Sequence, residues 1–221
     1  TEQTRKLKLT GQKKPTVFAP LSMDTPRRAQ FLLLMGDVGL GKTRLAEEIS
    51  REAKRHDWAV AWCRAYVQEG HIPYRMWIEI LRKAMAQGLW QRQELTRRPL
   101  LYQPLGTLLP EFQDILPGVL YAPPVPPEQE QLRLWEATRA LLNMICEQTT
   151  LLIVLDDVQW ADISSCEMLA YLVRQLRGAP VMFLCTCREI ELAEDHPLRA
   201  LITVMTREQA VEVLPIKPLE H

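Results

Sequence analysis

The sequence predicts an α/β fold in three layers, with a mostly parallel central sheet flanked by helices. Three observations support this prediction. Continuous apolar runs occur at residues 31–35, 151–155 and 181–186, as is typical of parallel strands that are buried on both faces. Segments with apolar residues at helical spacing lie between these runs. A glycine-rich loop joins the first run directly to the first helical segment. This alternation of strands and helices favours a parallel sheet.

The first half of the chain contains two predicted strands and two predicted helices. Residues 31–35 form the first strand and residues 42–55 the first helix. Residues 58–64 alternate apolar and small side chains, which suits a second strand. Apolar residues at helical spacing predict a second helix over residues 76–85. After it, prolines break the chain into short helical pieces; they are Pro99, Pro104, Pro110 and Pro117.

The second half begins with a proline-rich region, about residues 117–128, which we interpret as an internal loop rather than a domain linker. Ser164 followed by Glu167 resembles a capping box and predicts the start of a helix that runs to about Arg177. The other predicted elements are a helix over residues 132–145 and strands over residues 151–155, 181–186 and 211–216.

The composition excludes several classes of function. Lys plus Arg and Asp plus Glu both number 27, so no overall positive field favours nucleic acid or an anionic membrane. The apolar runs are too short to span a bilayer, and no secretory signal pattern follows the N-terminus. We therefore expect a cytoplasmic protein with no membrane partner. Residues 1–25 are predicted to be a loose N-terminal arm, and residues 26–219 a single domain.

The five cysteines also indicate a reducing compartment. Their odd number and apolar surroundings suggest reduced, buried thiols. Two of them form a CxC pair on a predicted strand, which points both thiols to one face and favours core packing over a metal site. The cysteines are Cys63, Cys146, Cys166, Cys185 and Cys187.

The glycine-rich loop at residues 36–43 has the pattern GxxxxGK(S/T) of a phosphate-binding loop. A preceding strand and a following helix distinguish such a loop from a plain glycine-rich turn, which is the alternative. Glycines let backbone N–H groups turn towards phosphate oxygens, and the helix N-terminus adds positive potential. Lys42 is predicted to reach the outer phosphates, and the Thr43 hydroxyl to ligate Mg²⁺. The predicted nucleotide-binding residues are Gly36, Asp37, Val38, Gly39, Leu40, Gly41, Lys42, Thr43 and Arg44.

A second acidic motif completes a metal–nucleotide site. The strand at residues 151–155 ends in Asp156 and Asp157, which fits the Walker B pattern. Asp156 is predicted to hold Mg²⁺ together with Thr43, and Asp157 to polarise the attacking water. An acidic turn after a core strand is the alternative explanation.

An arginine follows the neighbouring strand at residues 181–186. The carboxyl ends of parallel strands share the edge where ligands bind, so Arg188 is predicted to contact the γ-phosphate. The alternative is a surface arginine paired with Glu189 or Glu191. The predicted catalytic residues are therefore Lys42, Asp157 and Arg188.

These motifs together resemble a known family. The loop at residues 36–43, the DDxQWAD string at residues 156–162 and Thr186-Cys187-Arg188 are similar to the STAND class of AAA+-related ATPases, closest to MalT/LuxR-type bacterial transcriptional regulators. The likeness extends over most of residues 30–219. It includes the segment at residues 69–74.

The resemblance implies a switch that ADP holds closed and that ATP opens, often into a homo-oligomer. It implies Walker A roles for Lys42 and Thr43, Walker B roles for Asp156 and Asp157, and a sensor-1 role for Arg188. Within the string, Trp160 is expected to be a packing anchor and Asp162 a local helix cap; Gln159 matches the motif without an assigned role.

The chain departs from this family at both ends. Residues 17–30 do not match the usual Gly-Arg-Glu segment, so no adenine contacts are predicted. The chain ends near residues 215–219, where the family continues into helical and winged-helix regulatory domains. We therefore expect any DNA contact to be made by a domain outside this chain. Residues 220–221 are interpreted as a vector-derived remnant.

Three functions remain open from the sequence. The first is an ATP/ADP-binding regulatory switch with slow Mg²⁺-dependent hydrolysis. Slow turnover is expected because Asp157 is shorter than the glutamate that AAA+ motors place there. The second is a nucleotide-dependent oligomerisation module without significant turnover, and the third is a small-molecule kinase built on the same loop.

Overall fold

The computed structural model describes residues 30–116, 125–192 and 196–217. In these residues five strands form one sheet in the order β2-β3-β4-β1-β5, and every neighbouring pair is parallel. The predicted three-layer α/β fold is confirmed. The strands are β1 Gln30–Met35, β2 Ala59–Arg64, β3 Leu151–Asp156, β4 Val181–Cys187 and β5 Glu212–Pro215.

The helices cover both faces of the sheet. Leu32 and Leu34 of β1 pack with Ala46 and Ile49 of the first helix, whereas Phe31 and its odd-numbered neighbours pack against the larger set of helices. Successive side chains of a strand point to opposite faces of the sheet, which explains this division. Because helices cover both faces, side chains in both directions must be apolar, and the apolar runs are therefore continuous. The helices in the described residues are α1 Lys42–Arg55, α2 Arg75–Ala86, α3 Arg92–Arg97, α4 Pro99–Tyr102, α5 Pro127–Cys146, α6 Ile163–Gln175 and α7 Pro197–Arg207.

Helix α5 begins earlier than predicted. It starts at Pro127 rather than at residue 132. Proline is well tolerated in the first turn of a helix, because the N–H group that it lacks would have no partner within the helix. Glu128 and Glu130 in that first turn complement the helix dipole. The end of the predicted proline-rich loop is therefore helical, while residues 117–124 lie outside the described residues.

The predicted capping box at the start of α6 is wrong. Ser164 and Glu167 do not cap the helix, because α6 begins at Ile163 and Ser164 is already inside its first turn. Asp162 is the N-cap, and its side chain accepts from the backbone N–H of Ser165. This outcome confirms the expectation that Asp162 is a local helix cap.

The C-terminal part of the described chain differs from the prediction in two ways. Helix α7 was not predicted, and the last strand, predicted over residues 211–216, is the shorter β5. The predicted N-terminal arm, residues 1–25, and residues 220–221 lie outside the described residues.

The cysteines are free and buried, as predicted. Cys185 and Cys187 belong to the same core cluster on one face of the sheet. Burial raises the pKa of four of the five thiols to about 12; these are Cys63, Cys146, Cys166 and Cys187.

None of the helices in the described residues has the length and apolar character that a bilayer span requires.

Candidate functional site

The strand register brings the predicted functional residues to one edge of the sheet. Arg64 at the end of β2 is level with Asp156 at the end of β3. Met35 at the end of β1 is level with Cys187 at the end of β4. Because all these strands are parallel, the residues that follow each of them meet at the same edge.

The glycine-rich loop connects β1 to α1 in a conformation that needs glycine. Gly39 and Gly41 have positive φ angles of 82° and 85°, which L-residues with side chains rarely adopt. Gly41 is the N-cap of α1, and no side chain caps this helix or places an acidic group in its first turn. The helix N-terminus therefore keeps its positive potential for an anion.

Lys42 is buried and folds back over the loop. Its Nζ donates to the carbonyl oxygens of Gly36 (2.8 Å) and Asp37 (2.7 Å). Burial, followed by the charge of Arg188, lowers the pKa of Lys42 despite nearby acidic groups. The ammonium thus lies inside the loop, where phosphate oxygens can replace the two carbonyls as its partners.

Thr43 and Asp156 form the predicted metal-binding pair. The Thr43 hydroxyl lies 3.0 Å from Asp156 Oδ1 and 3.3 Å from Oδ2. Thr186 on β4 donates to the same Oδ1 at 2.6 Å and fixes the carboxylate from the other side. A hydroxyl and a carboxylate facing each other are ligands that suit Mg²⁺, so these residues fit the ion.

Asp157 is surrounded by positive and amide groups. Its Oδ2 accepts from Arg64 Nη2 at 2.7 Å, and its Oδ1 lies 3.2 Å from both Arg188 Nε and Gln159 Nε2. Burial alone would raise the pKa of Asp157, but the hydrogen bonds from Gln159 and Arg64 and the charges of the two arginines lower it overall. The carboxylate is therefore held ionised by its partners.

The backbone of Asp157 is also unusual. Its φ of 57° and ψ of 46° place it in the left-handed region, which is uncommon for a residue with a side chain. The Thr186 hydroxyl accepts its N–H at 2.8 Å. This turn directs the Asp157 side chain across the edge of the sheet towards β2 and β4.

Arg188 pairs with Glu191, which is the alternative considered from the sequence, and also with Asp157. Its contact with a γ-phosphate stays a prediction. Its Nε pairs with Asp157, and its Nη1 lies 2.8 Å from Glu191 Oε1. The guanidinium is therefore both a partner of the β3 carboxylate and an ion-pair partner of Glu191. It remains about 25% exposed at the edge of the site.

Asp162 connects two helices. Its Oδ1 accepts from the N–H groups of Ser165 (2.7 Å) and Tyr74 (2.9 Å), and its Oδ2 accepts from the Ser165 hydroxyl and, at 3.3 Å, from the N–H of Arg75. One buried carboxylate thus caps the N-termini of both α6 and α2.

Trp160 lies in the turn that follows β3. It is partly buried against the core, in agreement with its expected role as a packing anchor. A Cβ at Gly70 would lie 3.1 Å from the Trp160 carbonyl oxygen. The segment after β2 and the turn after β3 therefore pack closely beside the site.

Two of the predicted nucleotide-binding residues direct their side chains into solvent. Val38 is 64% exposed at the loop. The Arg44 guanidinium pairs with Glu47 and Glu48 on the outer face of α1. If these two residues contact a nucleotide in this conformation, their backbone groups make the contact.

Two residues of the edge were missed from the sequence, Arg64 and Thr186, whereas Glu191 was named there as an alternative partner of Arg188 and does pair with it. Arg64 and Thr186 each contact a predicted site residue from another element. Arg64 and Thr186 stand at the ends of predicted strands, and that position is the only signal that could have identified them. Their partners depend on the strand register.

Comparison with known proteins identifies a family and finds similar solved structures. Residues 17–184 match the AAA ATPase domain family. Among solved structures, the chain is similar to ORC1 of Aeropyrum pernix in complex with DNA, with 16% identity and a TM-score of 0.45, over 92% of this chain and 43% of that one.

It is also similar to Drosophila ORC bound to GC-rich DNA and Cdc6, with 12% identity, a TM-score of 0.40, and coverage of 86% of this chain and 50% of that one. A further similar structure is the flagellar accessory protein FlaH from Methanocaldococcus jannaschii, with 12% identity, a TM-score of 0.38, and coverage of 86% and 72%.

The chain spans about half or less of the ORC1 chain and of the Drosophila ORC chain named above. No curated protein matches it significantly. Because the family match covers most of the chain and includes both the glycine-rich loop and the two aspartates after β3, this chain belongs to the AAA ATPase domain family.

Proposed function

We propose that this chain is the ATP/ADP-binding switch domain of a larger regulatory protein and that it hydrolyses ATP slowly with Mg²⁺. One observation carries this proposal. Lys42 and Thr43 of α1, Asp156 and Asp157 at the end of β3, and Arg188 after β4 converge at one edge of the sheet. This set contains a phosphate-binding cation, a metal-binding pair, a carboxylate and an arginine.

Each residue has a distinct task in the proposed reaction. Mg²⁺, when bound, neutralises charge on the phosphates. Thr43 and Asp156 hold that ion, and Lys42 neutralises the outer phosphates. Asp157 accepts a hydrogen bond from the attacking water and orients it. Arg188 contacts the γ-phosphate and stabilises the charge that develops on it.

The environment of Asp157 supports slow rather than fast turnover. Two arginines and Gln159 occupy its carboxylate oxygens, and its pKa is lowered as described above. A carboxylate with a low pKa is a weak general base. Asp157 must also break its hydrogen bonds to these partners before it can bind water. Both features favour slow ATP hydrolysis, as in a regulatory switch, over rapid repeated turnover.

The finer classification is also part of the proposal. We assign the chain to the STAND class and compare it there with the MalT/LuxR-type regulators, because the DDxQWAD string supplies Asp156, Asp157 and Gln159 to the site and Asp162 to the helix starts beside it. Signal transduction and transcription regulation would then involve regulatory domains outside this chain, a homo-oligomer in the ATP state, and DNA contact through another domain. The free, buried cysteines support a cytoplasmic location.

The ion pairs of Asp157 also favour a second function, nucleotide binding without hydrolysis. If Asp157 stays paired with Arg64 and Arg188 after ATP binds, no base is left for water. The chain would then be an oligomerisation module that responds to nucleotide binding alone. Phosphate release distinguishes the two functions, because only the first produces it.

Isothermal titration with ATP and ADP, with and without Mg²⁺, tests the binding proposal. Lys42→Ala is expected to weaken ATP binding about 100-fold, equivalent to about 2.7 kcal/mol, because the outer phosphates lose their buried cation. Lys54→Ala is the matched control, since Lys54 is an exposed lysine of the same helix. Equal ATP affinity in wild type and Lys42→Ala would contradict the proposed site.

A further inference from the structure

Gln159 is a buried polar residue to which the proposed reaction gives no role. Its side chain is only 2% exposed, yet every polar atom of its amide has a partner. Nε2 donates to Asp157 Oδ1 (3.2 Å) and to Glu191 Oε2 (3.0 Å), and Oε1 accepts the backbone N–H of Arg188 at 3.2 Å. The Gln159 carbonyl oxygen lies 3.1 Å from His196 Nε2.

The partners of Gln159 are also the partners of Arg188. The Arg188 guanidinium pairs with the same two carboxylates, through Nε to Asp157 and through Nη1 to Glu191. Gln159 therefore holds Arg188 in two ways: directly through its backbone N–H, and indirectly through the carboxylates that bind its side chain. The four side chains form a closed ring between the ends of β3 and β4.

Only an amide satisfies this arrangement. Two N–H groups must face two carboxylates while an acceptor faces the N–H of Arg188. Glutamate at this position would supply no donor and would add a third negative charge, and an apolar residue would leave buried polar groups without partners. The chemistry of the neighbours thus explains why residue 159 is a glutamine.

We infer that Gln159 is a positioning residue that fixes Arg188 where it contacts the γ-phosphate, and so determines how well the site distinguishes ATP from ADP. This inference rests on the proposed function. Gln159 acts through Arg188. The affinity for ADP, which has no γ-phosphate, is set by the glycine-rich loop and does not depend on Gln159.

Binding of ADP and of the non-hydrolysable analogue AMP-PNP, both with Mg²⁺, tests the inference in wild type, Gln159→Met, Arg188→Ala and the double variant. Gln159→Met is expected to weaken AMP-PNP binding about tenfold, the size of one charge-assisted hydrogen bond. Its ADP affinity should stay within about twofold. In the Arg188→Ala background Gln159→Met should cause no further loss, because the residue through which it acts is absent.

Gln131→Met is the matched control. Gln131 also donates from Nε2 to a carboxylate, that of Glu167, but this contact joins α5 to α6 and involves no residue of the proposed site. This variant should leave both affinities unchanged. If Gln159→Met shows no cooperative thermal unfolding, Gln159→Asn replaces it, because it keeps a buried amide that is one methylene too short to bridge the ring.

The outcomes separate this inference from the proposed function. Equal losses of ADP and AMP-PNP affinity, an unchanged AMP-PNP affinity, or a loss that persists in the Arg188→Ala background would each overturn the role of Gln159. Failure of the wild-type chain to bind either nucleotide would instead overturn the proposed function, and the inference with it.

Discussion

The two halves of the candidate site are built in different ways. The phosphate-binding half, residues 36–43, is one continuous stretch in which the lysine contacts carbonyl oxygens five and six residues away. The carboxylate half joins Arg64, Asp157 and Arg188, and the Arg64–Asp157 hydrogen bonds span 93 residues of sequence. The first half depends on local conformation, whereas the second depends on how three strands are aligned.

This difference has a functional meaning. Lys42 has only neutral carbonyl partners, which phosphate oxygens can replace at small electrostatic cost. Asp157 has two cationic partners that must rearrange before it can bind water. Under the proposed function, this contrast corresponds to a site that binds nucleotide readily and hydrolyses it slowly.

The largest expected effect concerns that restrained carboxylate. Asp157→Ala should lower ATP turnover by about 10²–10⁴, the usual contribution of a general base. ADP affinity should not fall, because the glycine-rich loop that binds ADP is untouched. Phosphate release and ADP titration measure the two quantities, with Asp114→Ala as an exposed control. Unchanged turnover would leave the carboxylate half without a catalytic role.

The second effect concerns stability. Asp162→Ala should lower the free energy of unfolding by about 2–4 kcal/mol, because two helix N-termini lose a cap worth about 1 kcal/mol each and the buried Ser165 hydroxyl loses its partner. Urea denaturation measures the change. Asp162→Asn keeps one oxygen acceptor and should cost about half as much. If Asp162→Ala costs no more than one cap, the link between α2 and α6 is not energetically important.

The same contrast explains what the sequence could predict. The loop, helix α1 and strand β3 were predicted because their patterns are short and continuous. The placement of Thr43 opposite Asp156 also followed, since Walker motifs specify it. Arg64 could not be assigned to Asp157, because its partner depends on the register between β2 and β3. Asp162 was expected to cap locally, but its second helix starts 87 residues earlier in the chain.

The third effect concerns the contact between Gly36 of the phosphate-binding half and Ile216, which follows β5. A Cβ at Gly36 would lie 2.7 Å from the Ile216 carbonyl oxygen. Gly36→Ala should therefore cost about 1–3 kcal/mol in unfolding free energy and weaken nucleotide binding by moving the loop. Gly39→Ala is the control, because its φ is also positive but no atom lies within 4 Å. Equal costs would mean that the Ile216 contact adds nothing to the backbone strain.

The smallest effect tests which half Arg64 belongs to. Its side chain is 45% exposed, and such a screened ion pair contributes only about 0–1 kcal/mol. Arg64→Ala should raise turnover about threefold, within the range that such an energy allows, because Asp157 loses a partner that lowers its basicity. ADP affinity should stay unchanged, as it should for Arg55→Ala, which removes an exposed ion pair of α1. A fall in both turnover and ATP affinity would show instead that Arg64 contacts phosphate. Arg64 at the end of β2 would then belong to the phosphate-binding half rather than to the carboxylate half.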